Sequence, residues 1–286
     1  MNIGVILSFS RSGATLLNRM IGMVPGVVIC SEINPVAGIG PTSKKAYPPE
    51  VALKLQMSEW YGIELRAVEF RQVVQELLEW CQLRQKQLVI RDWTHINFRS
   101  AALNDCEPSY RFTLIEELRE FAELRVLGLV RDSIDVYLST REKIECFGDD
   151  YVRYVRSLAD LKVPIVRYED LISQPERTFR IICEDLGLTY SERYRAFSEN
   201  RNCTGDLQLG RLSRGFRQAS IAPLPRRRVS RSKWREIERC LPLLEANRLL
   251  GYPPTYWNGT VETFSQSAGR RLRNGFEKLR RLLPST

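Results

Sequence analysis

The chain has 286 residues, of which 43% are hydrophobic and 27% charged, a balance that excludes a disordered or fibrous protein and allows a sizeable core. The formal charge of +9 is uneven: residues 201–286 hold 18 Lys+Arg against 6 Asp+Glu, whereas residues 1–200 lean acidic, which argues against a generic nucleic-acid surface. Seven cysteines without a C-x-x-C pair argue against a zinc ribbon or disulfide scaffold, and no apolar run reaches 18 residues, so the chain reads as cytoplasmic.

In chain order, Ile3–Phe9 is a short apolar run that predicts a buried strand, followed by a polar turn at Ser10–Thr15 and a helix over Leu16–Met23. Val27–Cys30 predicts a second strand, and the proline-rich stretch Pro35–Pro49 a loop. Glu64–Gln85 has helical spacing, Leu88–Ile90 is a third strand, and Arg91–Phe98 a loop. Leu114–Phe121 predicts a helix, Leu124–Val130 a fourth strand, and Ser133–Lys143 its following helix. Val163–Val166 and Pro175–Leu186 add a strand and a helix. Residues 200–233 are polar and arginine-rich, which predicts a long loop, and Ser232–Leu250 a closing helix capped by Gly251. Strands alternating with helices imply an α/β fold: a central parallel sheet covered by helices on both faces, in three α/β/α layers.

Three segments carry candidate chemistry. The first, Ser8–Leu17, joins the first strand to the first helix, where free N–H groups at a helix N-terminus bind anionic oxygens. Gly13 allows close backbone approach, Ser12 and Thr15 offer hydroxyls, and Arg11 is the cation. It lacks the Gly-Lys-Ser/Thr of a Walker A loop. The second, Gly128–Ser139, ends a strand with Arg131 and places Ser139 eight residues on, about two helical turns later. The third is Val166–Leu171, again at a strand end.

In this order and spacing the three segments resemble the sulfotransferase superfamily, over roughly residues 1–255, with Leu249–Tyr252 similar to the usual end of the domain. The resemblance implies a P-loop-like fold and transfer of a sulfuryl group from 3′-phosphoadenosine 5′-phosphosulfate (PAPS) to a hydroxyl or amine, without a metal. It implies that Arg11, Ser12, Gly13, Ala14, Thr15 and Leu16 form the 5′-phosphosulfate loop, with Arg11 stabilising the leaving group. Arg131 and Ser139 then hold the 3′-phosphate, and Tyr168 touches the adenine. The family's late basic loop has two candidates, Leu212–Gly215, favoured for Arg214 and Gly215, and Pro225–Arg228. Ser10, Ala14 and Ser133 depart from the residues common at those positions.

Two residues are candidates for the general base that an alcohol acceptor needs. His95, the single histidine, resembles the base of cytosolic-type members, although Arg91 stands where those have lysine and the spacing is one residue longer. Glu32 resembles the catalytic glutamate of tyrosylprotein-type members. His95 is the preferred base, with Glu32 as an acceptor-orienting residue or the base itself. The acceptor class is a carbohydrate, lipid or small-molecule hydroxyl. Residues 256–286 form a basic tail with a stripe of Leu272, Phe276, Leu279 and Leu283, suited to docking on the domain or to an anionic membrane surface. The rival functions are a P-loop-type nucleotide kinase and a non-catalytic nucleotide or polyanion binder.

Overall fold

The structure is a computed structural model that describes residues 2–41, 45–100, 107–140, 142–204, 220–223, 226–252 and 261–262. A strand that is apolar on both faces must be covered on both sides. β1 (Asn2–Ser8) meets that condition, with Ile3, Val5, Ile6 and Leu7 fully buried. α1 (Ala14–Ile21) follows, then β2 (Val27–Asn34) and two short strands, β3 (Ala37–Ile39) and β4 (Ala46–Tyr47). α2 (Pro49–Tyr61) and α3 (Phe70–Leu83) lead to β5 (Gln87–Asp92) and a 3-10 turn at Thr94–Ile96. α4 (Thr113–Arg119), β6 (Glu123–Val130), α5 (Ser133–Tyr137) and α6 (Ile144–Asp160) precede β7 (Ile165–Arg167), α7 (Tyr168–Ser173) and α8 (Pro175–Leu186). β8 (Val229–Ser230), α9 (Arg231–Arg239), α10 (Leu241–Leu249) and β9 (Val261–Glu262) close the described chain.

The main sheet has seven strands in the order β4-β3-β2-β5-β1-β6-β7. β2, β5, β1, β6 and β7 are mutually parallel, whereas β3 and β4 pair antiparallel at the edge. One face is covered by α3 and α6, through Val73, Leu77, Phe147, Tyr151 and Tyr154. The other is covered by α1 and α8, through Leu17, Met20, Phe179 and Ile182. This is the P-loop-like three-layer α/β/α architecture, and the strand order reverses around β1, where such sheets open a ligand crevice at their carboxyl ends.

Several elements differ from the sequence expectation. β2 continues to Asn34, so Glu32 lies inside a strand. The expected loop at Pro35–Pro49 contains β3 and β4, which add an antiparallel edge to the parallel sheet. Residues 64–69 are extended and α3 begins at Phe70. α2 escapes periodicity because Val51 and Leu55 are exposed while Gln56 is buried. α6 is amphipathic, but Tyr151 and Tyr154 make up much of its buried face. The helix expected over Ser133–Lys143 stops at Tyr137. The closing helix breaks at Cys240, because Pro242 fits the first turn of a new helix and not the interior of an old one. Arg214, Gly215 and the 256–286 tail lie outside the described residues, apart from the β9 backbone. No helix among the described residues is long and apolar enough to cross a membrane.

One C-terminal contact fixes the site. Asn247 is fully buried, and its Oδ1 accepts the Ser133 N–H at 2.7 Å, while Ser133 Oγ donates to the Leu243 carbonyl at 2.9 Å. α10 therefore holds the first turn of α5. Asn247→Ala leaves the buried Ser133 N–H without an acceptor, and the expected cost is about 1–3 kcal/mol, read from the urea midpoint.

Candidate functional site

The carboxyl ends of β1, β2, β5 and β6 converge on one edge of the sheet, and each delivers a polar group there. After β1 the chain turns tightly: the Ser12 N–H donates to the Phe9 carbonyl at 3.3 Å, and Arg11 and Gly13 have φ of 71° and 93°. A Cβ on Gly13 would lie 2.3 Å from the Tyr168 ring, so only glycine closes the loop. Ser12 is fully buried and its Oγ has no hydrogen-bond partner in the structure. Gly13 is the N-cap of α1, and Ala14 and Thr15 form its first turn, whose N–H groups have no intrahelical acceptor. Leu16 packs partly buried beneath the loop.

At the end of β6, Arg131 Nη1 donates to the Arg11 carbonyl at 3.2 Å, and its guanidinium lies 4.6 Å from the Tyr168 ring centre. Tyr168 is buried and supports both Gly13 and Arg131 from below. Asp132 caps α5 by accepting from the Ile134 and Asp135 N–H groups. Arg131 and Ser139 meet around Asp135: Arg131 Nη2 is 3.9 Å from its Oδ2, and Ser139 Oγ donates to its carbonyl at 2.8 Å. Arg226 Nη2 joins this group, 3.0 Å from Asp132 and 3.2 Å from Asp135. Of the two late basic segments, the Pro225–Arg228 candidate thus reaches the Arg131 side through Arg226.

The densest polar cluster surrounds Arg91, which is 2% exposed. Its Nη2 donates to Ser31 Oγ at 2.8 Å and Thr204 Oγ1 at 3.1 Å, and lies 3.4 Å from Glu32 Oε1. Thr204 Oγ1 donates to Glu32 Oε2 at 2.6 Å. Glu32 has a φ of 54°, because the β2–β5 register slips between Ser31 and Ile33 and leaves Glu32 as the extra residue of a bulge. Bulges re-aim a side chain, and left-handed backbone at a non-glycine residue is a strain that recurs at functional sites. Sequence reasoning assigned no site role to Thr204, the last residue of an Asn202-Cys203-Thr204 N-x-T triplet, and treated Arg91 only as a replacement for lysine.

His95 follows β5 in the 3-10 turn, its ring centre 6.3 Å from that of Phe9 in the first loop. Its Nε2 accepts the Trp93 indole N–H at 2.8 Å, which occupies the one lone pair of a neutral imidazole and puts the ring proton on Nδ1. Burial, assisted by Arg99 and Arg91, pushes its pKa down to about 3. Nearby Asp92 is pushed up to about 7 by burial, although Asn34 Nδ2 donates to its Oδ1 at 2.8 Å. The base favoured from sequence is therefore a weak one with its acceptor site filled.

A family model described as "Sulfotransferase family" matches residues 5–192, and the chain belongs to that family of transferases. Among solved structures, the sulfotransferase domain from the curacin biosynthetic pathway is similar at 15% identity and a TM-score of 0.56, over 88% of this chain and 97% of that one. The sulfotransferase domain of the Synechococcus PCC 7002 olefin synthase matches at 16% identity and a TM-score of 0.53, over 88% and 95%. Both share the fold. No curated protein sequence matches the chain.

The pH consequence of His95 has a definite sign. A histidine whose folded pKa lies below its unfolded value contributes stability above about pH 6.5 that is lost as pH falls toward 3. Asp92 acts oppositely, losing its contribution as pH rises from the unfolded value of 3.8 to about 7. His95→Gln removes only the first effect. Between pH 7 and pH 5 the variant should lose about 2 kcal/mol less stability than the parent, measured by urea unfolding at the two pH values.

Proposed function

We propose that the chain transfers a sulfuryl group from PAPS to a hydroxyl or amine acceptor, with Glu32 as the general base in place of His95. The observation that carries the donor assignment is the loop after β1. A buried Ser12 hydroxyl without a partner, in a turn that only Gly13 can close, fits an anionic group held by backbone N–H donors. Arg11, Ser12, Gly13, Ala14, Thr15 and Leu16 hold the 5′ end. Arg131 and Ser139 hold the 3′-phosphate, with Arg226 as the late cation in preference to Arg214 and Gly215. Tyr168 supports Gly13 and Arg131, and its adenine contact is secondary in this reading.

Bound there, PAPS supplies the sulfuryl group, with the sulfur–acceptor bond forming as the bond to the bridging phosphate oxygen breaks. Arg11 and the loop N–H groups stabilise the negative charge developing on that oxygen. Glu32 takes the proton of the acceptor. The lone-pair count favours it: each carboxylate oxygen can accept more than one hydrogen bond, whereas His95 Nε2 has a single lone pair that Trp93 already occupies. The acceptor is read as a carbohydrate, lipid or small-molecule hydroxyl.

A ligand of the native state raises its melting temperature. 3′-Phosphoadenosine 5′-phosphate (PAP) should therefore stabilise the protein where ATP and AMP do not, and the absence of any shift with PAP refutes the donor assignment. With sulfur-labelled PAPS and a panel of alcohols and amines, Glu32→Gln should lose about 10²–10⁴-fold in turnover with PAP stabilisation retained. His95→Ala should keep most of its turnover. The reverse pattern returns the role to His95.

A further inference from the structure

The structure assigns Thr204 as a positioning residue that fixes Glu32 and ties it to the donor-binding helix α1. This rests on the reading of Glu32 as base. Thr204 is fully buried, 172 positions away from Glu32 in the chain, and brought there by contacts on both sides.

The first side is the hydrogen-bond network itself. Ser31 Oγ accepts from Arg91 Nη2 at 2.8 Å and from the Thr204 N–H at 3.0 Å, which fills both of its lone pairs. Its proton is then available to Thr204 Oγ1, 2.9 Å away. Thr204 Oγ1 accepts that bond and a second from Arg91 at 3.1 Å, so its own proton points to Glu32 Oε2 at 2.6 Å. A hydroxyl polarised by a guanidinium and donating to a carboxylate forms a short, charge-assisted bond that fixes the orientation of the carboxylate. Oε2 is thereby anchored. Oε1, which among the described residues has the 3.4 Å contact to Arg91, is the oxygen placed to receive the acceptor proton.

The second side is the chain leading to Thr204. Arg19 of α1 donates from Nε to the Asn200 carbonyl at 3.2 Å and from Nη2 to the Ser198 carbonyl at 2.9 Å. Asn200 Nδ2 returns a bond to the Arg19 carbonyl at 3.2 Å, and Asn18 Nδ2 donates to the Asn202 carbonyl at 3.1 Å. Residues 198–202 are thus strapped to α1, the helix whose N-terminus forms the donor loop. Thr204 is where that strap meets Glu32, so a single side chain sets the distance between donor loop and base.

The test compares Thr204→Val, Thr204→Ser and Glu32→Gln using the acceptor found by the labelled-PAPS screen, with PAP binding measured for each. Thr204→Val keeps the shape and the backbone N–H bond but loses the donated proton. The expected result is a fall of about 10²-fold in kcat with PAP affinity retained, and recovery of most activity in Thr204→Ser. KM for the acceptor should stay within about twofold in Thr204→Val, so that the loss falls on kcat. Parental kcat in Thr204→Val, with Glu32→Gln inactive, overturns the positioning role alone. A fully active Glu32→Gln overturns the base reading and this role with it. Loss of PAP binding in both Thr204 variants assigns the residue to folding and overturns the proposal.

Discussion

A guanidinium buried in the middle of a sheet is the constraint on which the rest of this site depends. Arg91 stands level with Ile6 on β1 and Ser31 on β2, at 2% exposure, where an uncompensated charge would be costly. Compensation has to come from neighbouring strands and from chain that can reach them. Ser31 supplies an oxygen from the next strand, but a carboxylate needs a different direction from that of the strand pleat. The bulge at Glu32 provides that direction, at the cost of a left-handed backbone. The segment up to Thr204 completes the set from the far side of α1. Strain at one residue is thus offset by the charge of another.

The end of β6 is organised by carboxylates in the same way. Asp132 caps α5 through its Oδ1 and holds Arg226 through its Oδ2. Asp135 gathers Arg131, Arg226 and the hydroxyl of Ser139. Two buried acidic residues therefore keep two arginines in place, and the local pairing decides where positive charge is presented. The strongly basic last third of the chain contributes Arg226 to this group. Net charge by itself says nothing of that placement.

The layers of the fold were legible because β1, β5 and β6 each carry a short apolar run and α3 has clean helical spacing. The tight turn after β1 was legible because its residue types are few and adjacent. What escaped has physical reasons. α6 hides its apolar stripe in tyrosines, and α2 buries a glutamine while exposing Val51 and Leu55. The extension of β2 through Ser31-Glu32 looks like a polar turn until the bulge and Arg91 are in view. The surroundings of His95 turn on a tautomer: nothing in the sequence says that Trp93 donates to His95, because the two are near neighbours in the chain and their contact is a matter of rotamers. Thr204 is invisible for the opposite reason, since its partners Ser31, Glu32 and Arg91 lie on β2 and β5, far from it in the chain.

The bond between Ser133 and Asn247 has a consequence for the order in which the molecule is made. Ser133 opens the short helix that carries Asp135, and its backbone is satisfied by a side chain 114 residues later. A ribosome-bound chain that has emerged only as far as β7 has every strand of the parallel sheet and the whole donor loop. It still has a polar N–H group facing apolar surface at the start of α5. That half of the domain closes when α10 arrives, so the segment beyond the last main-sheet strand completes the support of α5, and a nascent chain gains that support late in synthesis.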